Sequence, residues 1–163
     1  MLGDPWKDWK PGNPRAAKLV KGKDWIFKTL DRHKLEIPEL KSIDIIELGE
    51  VASQALSKGL GTNQFARLLE DKISNPLLHG TDGLSLTLAL VLCSAAQNAA
   101  SYQDMLENGV EEVEWFGHGI CVECLKNNGQ RVKIGSPFAS GHLFPPACTN
   151  CFCSLSPVMP DFS

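Results

Sequence analysis

Apolar residues recur at helical spacing through the first two thirds of the chain, which predicts a helical body. Asn13 and Pro14 supply an N-cap and a proline at the first helical position, so we expect a short helix over residues 14–20. Asp24 can cap a second helix that ends before Pro38, because the residue before a proline avoids helical backbone. Its apolar residues would be Trp25, Ile26 and Leu30.

Three further helices follow in the same pattern. Apolar positions predict an amphipathic helix over residues 43–58, begun by Ser42 and stopped by the glycines at 59 and 61. Thr62 is expected to cap a fourth helix that ends at Asn75 and Pro76. A fifth, from about Gly83 to Glu107, is opened by Thr81 or Asp82 and closed by Asn108 and Gly109. It is apolar on most sides, so we expect it to be the central and most buried helix.

After residue 109 the period changes from helical to alternating. Residues 110–116 and 130–134 read as two strands of a small hairpin, with Cys121 and Cys124 on the turn between them. Glycines and prolines over residues 137–146 predict an irregular loop, and a last strand is expected over residues 153–158. The fold class is therefore α+β: a helical part over residues 1–109 and a small antiparallel sheet over 110–158, forming a single domain of residues 1–163.

Composition narrows the class of protein. A net charge of −3 gives no general nucleic-acid-binding surface, although lysines and arginines are concentrated before residue 30. Charges interrupt the N-terminus, so no signal peptide is expected, and the apolar run over residues 84–96 is too short to span a bilayer. We expect a reducing cytosol, where closely spaced cysteines are more often metal ligands than disulfides.

The strongest candidate for a functional site is a cluster of cysteines in the last third of the chain. Cys121 and Cys124 form one C-x2-C pair, and a spacer of 23 residues separates them from Cys148 and Cys151. Two such pairs can hold one Zn²⁺ tetrahedrally at a closed structural site. We predict these four cysteines as the metal ligands, with Cys153 as the substitute for Cys151.

Other candidate residues carry less chemistry. Cys93 is expected in the helical core, and His118 and His142 are expected to be satisfied or exposed rather than ligands. The run Glu111, Glu112 and Glu114 reads as a solvated strand edge. Deaminases of the zinc class need an H-x-E element that this chain lacks, and no catalytic motif of hydrolases, nucleotide-binding proteins or zinc proteases occurs. We therefore predict no catalytic residues and no enzyme activity.

The same residues carry a resemblance to a known family. The run Gly109-Val110-Glu111-Glu112-Val113-Glu114-Trp115, the Cys121-x2-Cys124 pair and the segment from Gly141 to Val158 resemble the C-terminal half of phage minor head proteins of the Mu F-like head-morphogenesis family. Trp6, Trp9, Pro11 and Gly12 look like the start of that domain in relatives from actinobacterial phages. The likeness covers nearly the whole chain and is specific mainly over residues 109–158.

Three departures from the family pattern bear on the site. Cys148 stands where the family usually has a histidine, so one zinc-competent ligand replaces another. Phe152 stands where the family has an arginine. Leu90, Val91 and Leu92 stand where relatives often have Arg-Thr-Glu, so any role of that polar trio is lost.

The resemblance implies a structural protein of a virion. The expected role is a minor head component of a tailed phage or prophage, acting near the portal in head assembly or in DNA packaging and ejection. Its partners would be portal and capsid or scaffold proteins, with DNA as a further candidate and no membrane, and it would be assembled in the bacterial host cytoplasm. Two alternatives stay open: a small zinc-dependent adaptor for nucleic acid or protein, and a capsid maturation protease.

Overall fold

The computed structural model describes residues 12–31, 44–73, 78, 83–117, 121–148, 151 and 153–160. It confirms the α+β fold class: helices come first, and a small antiparallel sheet lies near the C-terminus. In chain order the elements are α1 (Pro14–Leu19), α2 (Lys23–Asp31), α3 (Ile45–Lys58), α4 (Thr62–Lys72), α5 (Leu84–Glu107), β1 (Glu112–Phe116), α6 (Val122–Asn127), β2 (Arg131–Lys133) and β3 (Ser154–Pro157).

The helices begin close to the predicted residues, but the N-caps of α3 and α4 differ from the predicted ones. Asp44 caps α3 by accepting hydrogen bonds from the N–H groups of Ile46 and Glu47, so the helix begins after the predicted Ser42. Gly61, not Thr62, is the N-cap of α4, and its N–H donates to the Gln64 side chain. Ser42, Asn75, Pro76, Thr81 and Asp82 lie outside the described residues.

Helix α5 organises the helical body. It contacts α1, α2, α3 and α4 as well as β3, and its buried residues include Leu88, Val91, Leu92 and Ala96. Among the described helices it is long and apolar enough to cross a membrane by length and composition, but half of that apolar window is buried within the protein. Packing against the other helices accounts for its apolar character, as expected for the central helix.

Ion pairs join α1 to the C-terminal end of α5. Arg15 of α1 pairs with Asp104 at 3.0 Å and with Glu107 at 2.9 Å, both near the C-terminal end of α5. Carboxylates at a helix C-terminus oppose the helix dipole, and Arg15 offsets that repulsion. All three side chains are substantially exposed, so each pair contributes little to the stability of the fold.

The sheet has strand order β2-β1-β3, and both pairings are antiparallel. Val113 and Trp115 of β1 are fully buried, while the other three residues of the strand are not, which is the predicted alternation. All three strands are shorter than predicted. A sheet of this size is marginally stable by itself, so it depends on what packs against it.

Cys121 and Cys124 lie on a short helix, not on the predicted turn. Cys121 is the N-cap of α6 and Cys124 lies in its first turn. The sequence pattern does not predict this helix, because it has six residues and its apolar Val122 and Leu125 are exposed, so it has no apolar face that repeats at helical spacing.

Tyr102 of α5 joins the helical body to the C-terminal part. Its hydroxyl accepts a hydrogen bond of 2.6 Å from the N–H of Gly135, and its ring lies 5.3 Å from that of Phe144. The two parts have separate clusters of buried apolar residues, and Met105 of α5 packs against the C-terminal one. The end of α5 thus serves as the support on which the sheet and the cysteine cluster rest.

Candidate metal centre

The first pair of cysteines is positioned by the start of α6. The Cys121 sulfur accepts a hydrogen bond from the backbone N–H of Cys124 at 3.3 Å, in the place where serine or aspartate usually caps a helix. This bond turns both side chains toward the same side of the chain. Backbone N–H groups that donate to sulfur are also what a metal-bound thiolate requires.

The remaining cysteines come from the irregular segment between β2 and β3. Cys148 and Cys151 are linked by a backbone hydrogen bond of 3.3 Å from the Cys151 N–H to the Cys148 carbonyl. Cys153 directly precedes β3, whose pairing with β1 fixes its place. The predicted irregular loop therefore returns all three cysteines to α6.

The Cys124 sulfur lies at the centre of the cluster. Its Sγ is 2.8 Å from that of Cys121, 3.9 Å from that of Cys148 and 3.4 Å from that of Cys151. Two triads result, within each of which all sulfurs lie within 4.8 Å of one another: Cys121, Cys124 and Cys148, and Cys124, Cys151 and Cys153.

The Cys124–Cys148 separation of 3.9 Å matches that of two thiolates on one thiophilic metal ion, and the other two separations are shorter than a tetrahedral site has. Zinc bound to sulfur at about 2.3 Å in a tetrahedron places its sulfurs roughly 3.8 Å apart. Five thiols at such spacing are far denser than packing of small apolar side chains requires. The cluster could therefore bind a metal ion such as zinc, which supplies the charge that holds thiolates together.

Burial and hydrogen bonding act in opposite directions on the thiols. Burial, helped by hydrogen bonding with Cys121 and Cys151, raises the pKa of Cys124 well above its ordinary value. Burial likewise raises the pKa of Cys151. Burial also opposes ionisation of Cys121, but hydrogen bonding with Cys124, Cys148 and backbone N–H groups together lowers its pKa. A bound cation would offset the penalty that burial places on the thiolate forms of Cys124 and Cys151.

An apolar shell surrounds the sulfurs. Val113, Trp115 and Phe138 are fully or almost fully buried in one cluster with the inner cysteines, and the Trp115 and Phe138 rings meet edge to face at 5.1 Å. The Trp115 ring nitrogen is buried without a hydrogen-bond partner among the described residues. Such a shell excludes water from the inner sulfurs, which strengthens metal–thiolate attraction.

The structure places Cys153 in the cluster beside Cys151. Its side chain is 4% exposed, and it shares a triad with both Cys124 and Cys151. Gly117 makes room for it: a Cβ at that position would lie 2.7 Å from the Cys153 Cα and 3.1 Å from its sulfur. The sequence signal for this contact is only a glycine after a strand, which has many other causes.

Cys93, Glu114 and Glu123 belong to neither sulfur triad. Cys93 is half-buried against the helical core, where burial raises its pKa. Glu114 pairs with Arg131 at 2.8 Å across the strands, and Glu123 pairs with Lys126 at 3.5 Å on α6. His118 lies outside the described residues.

His142 takes part in a polar network that fastens the irregular segment to α6. Its Nδ1 lies 2.8 Å from the Ser140 hydroxyl, which also accepts a hydrogen bond of 2.6 Å from the buried Asn127 side chain. The Ser140 N–H donates back to Asn127 at 3.0 Å. The reciprocal bonds hold α6 against residues 138–142, which stabilises the position of Cys124.

Comparisons with protein-family models, with curated proteins and with solved structures each give no match to this chain.

Proposed function

We propose that this protein is a structural, non-enzymatic protein whose C-terminal part is held together by zinc bound to cysteine thiolates. One observation carries the proposal: three cysteine sulfurs from two distant segments lie within 3.9 Å of the Cys124 sulfur. Zinc suits such a donor set because thiolates select soft ions and zinc has no redox chemistry of its own.

The small size of the sheet explains why an ion would be needed. β2 has three residues and β3 has four, and α6 adds six. Elements this short bury too little apolar surface to be stable alone, and small folds of this kind commonly use a structural metal. Metal binding would then be part of the folding free energy.

Native mass spectrometry of protein purified without chelator tests the metal. We expect zinc in the parent and its loss in Cys124→Ser, since Cys124 belongs to both triads. Cys93→Ser is the matched control, because Cys93 packs against the helical core, and it should keep the metal. A parent that carries no metal, or Cys124→Ser with unchanged metal content, would contradict the proposal.

For the biological role, we propose a minor head protein of a tailed phage or prophage. Its support is the motif likeness over residues 109–158 to Mu F-like head-morphogenesis proteins, in which a histidine is replaced here by another metal-binding residue, Cys148. In this role the protein would contact portal and capsid or scaffold proteins in the head. The bound metal would help the C-terminal part to stay folded under the pressure of packaged DNA.

Proteomics of gradient-purified particles made by the encoding phage or prophage tests this role. The protein should co-sediment with full heads and be captured with the portal protein after mild disruption. Its absence from purified particles, together with normal particle yield from a gene deletion, would contradict a head role while leaving the zinc proposal intact.

The adaptor alternative has its own supporting observation. Val122 and Leu125 of α6 are 65% and 63% exposed, three residues apart on the helix that carries the cysteines. Exposed apolar pairs of this kind favour a protein partner over nucleic acid. A partner captured from host extract by the parent, and lost with Val122→Ser and Leu125→Ser, would favour the adaptor over the head role.

A further inference from the structure

The cluster contains one more sulfur than a four-coordinate ion can use. Cys121, Cys124, Cys148, Cys151 and Cys153 all belong to one of the two triads. A single four-coordinate ion would need Cys151 as well as the triad of Cys121, Cys124 and Cys148. Cys151 instead belongs to the other triad, with Cys124 and Cys153.

The geometry points to a two-ion site in which the Cys124 thiolate bridges two divalent, thiophilic ions of the zinc class. One ion is held by Cys121, Cys124 and Cys148, and the other by Cys124, Cys151 and Cys153. This deepens the proposed zinc site and rests on it, since it adds a second ion and assigns Cys153 as a ligand.

The sulfur separations support two triads that meet at one corner. A four-coordinate ion bonded to sulfur at about 2.3 Å spaces its sulfurs roughly 3.8 Å apart, and the sulfurs of each triad lie within 4.8 Å of one another. Cys124 alone is shared, and it is 1% exposed at the junction. Each ion then takes its fourth ligand from outside the five thiols, because zinc prefers four.

Charge favours the second ion. One divalent ion with four thiolates leaves two negative charges on the cluster, whereas two divalent ions with five thiolates leave one. Cys124, Cys151 and Cys153 are each at most 6% exposed, so the cluster lies where net charge is costly. The second ion thus neutralises charge that burial penalises.

The backbone around Cys153 is built for close approach. Gly117 follows β1 at φ +153°, and a Cβ there would overlap the Cys153 Cα at 2.7 Å. This contact holds the Cys153 sulfur beside Cys124 and Cys151.

Titration of metal-free, reduced protein with Cd²⁺ tests the proposal, read by native mass spectrometry and by nuclear magnetic resonance of the spin-½ cadmium isotope. The parent should saturate with two ions whose two resonances split each other through the shared sulfur. Cys153→Ser should saturate with one ion, and Cys93→Ser should keep both. Near-ultraviolet circular dichroism of the buried tryptophan checks that each variant is folded.

The other outcomes are distinct. One ion in both the parent and Cys153→Ser overturns the two-ion site and leaves the proposed structural zinc in place. Two resonances without mutual splitting overturn the bridge, and two ions that persist in Cys124→Ser mark binding elsewhere on the protein. No bound ion in the parent overturns both this inference and the proposed function.

Discussion

Gly117 lies where the chain leaves β1 and passes directly against Cys153. A methyl group there would meet the Cys153 backbone at 2.7 Å and its sulfur at 3.1 Å, in a backbone conformation that side chains rarely adopt. We expect Gly117→Ala to lower the free energy of unfolding by about 2–4 kcal/mol, from overlap and backbone strain together. It should also weaken metal binding, because Cys153 must move.

Gly129→Ala is the matched control for Gly117→Ala. Gly129 also has a positive φ, +82°, but nothing lies within 4 Å of its Cβ position. It should therefore cost only backbone strain, about 1 kcal/mol, with unchanged metal content. Urea unfolding and metal analysis of both variants compare the two; equal losses would mean that the contact with Cys153 is unimportant.

Asn127 is a fully buried polar residue whose amide exchanges two hydrogen bonds with Ser140. Asn127→Ala leaves the Ser140 N–H without its partner, so we expect a loss of about 1–3 kcal/mol in urea unfolding. The neighbouring Asn128 is exposed, and Asn128→Ala should change stability by less than about 0.5 kcal/mol. Comparable losses in both would show that the network adds nothing.

The spacing of the cysteines in the sequence predicted which of them form a pair, but it did not predict how the five sulfurs are grouped in space. C-x2-C spacing identified Cys121 and Cys124 as a pair, since local chain geometry alone brings such side chains together. The two triads depend on how residues 134–153 return to α6, and no periodic pattern encodes that path. The choice between Cys151 and Cys153 could not be made for the same reason.

Among the elements, α3 depends on a glycine in its interior. In an exposed helix Gly49→Ala would add about 1 kcal/mol of stability. Here its Cβ would lie 2.6 Å from the Val20 carbonyl oxygen and 2.7 Å from Ile26 Cδ1, so α3 would have to move away from both. Overlap in a packed core costs about 1–3 kcal/mol, which outweighs the propensity gain.

We therefore expect Gly49→Ala to lower the thermal midpoint. Ser57→Ala, on the exposed side of the same helix, should leave it unchanged or raise it slightly. Circular dichroism melts of the two variants check this. A rise with Gly49→Ala would mean that α3 can shift away from Val20 without losing its packing.

Helix positions followed from the sequence where amphipathic pattern and stop signals agreed. The end of α3 at Gly59 and the long span of α5 were predicted because glycine in the left-handed conformation terminates helices. The N-terminal ends were less certain, since Ser42, Asp44, Gly61 and Thr62 are all acceptable caps and the packing of the helix decides between them. Helix α6 carried no pattern at all.

Across the whole molecule, thiol ionisation gives the metal-free and metal-bound forms opposite pH dependence. Burial raises the pKa of Cys124 and Cys151 above the value of about 8.5 for an unfolded thiol, so in metal-free protein these groups stabilise the fold below that pH. That stability is lost as the pH rises. Cys121 opposes them through its lowered pKa, but the two more deeply buried thiols outweigh it.

Bound metal reverses the sign, because protons compete with it for thiolates and its contribution is lost as the pH falls. Melting temperatures measured from pH 6 to about pH 10, in reductant, with and without chelator, check this. The chelated protein should lose stability above about pH 8.5, and the metal-loaded protein should lose it on acidification. Parallel curves would argue against thiolate ligation.

The fold class was predictable because the change from helical to alternating period falls near residue 109, and the structure changes from α5 to β1 there. What the pattern did not show is how the two parts meet. The hydrogen bond from Gly135 to Tyr102 and the ring contact with Phe144 join residues more than 30 positions apart. Contacts of that kind depend on shape complementarity, which single-sequence periodicity does not contain.

The five cysteines of the cluster lie on both sides of residues 134–147, two before that segment and three after it. With the proposed ion bound, a protease cut within that segment would leave two fragments that the ion holds together, as a disulfide would join them in a secreted protein. They would part on addition of a chelator rather than a reductant. If the two fragments elute together in gel filtration until the metal is removed, the bound ion acts as a reversible cross-link, which a reducing compartment would not break.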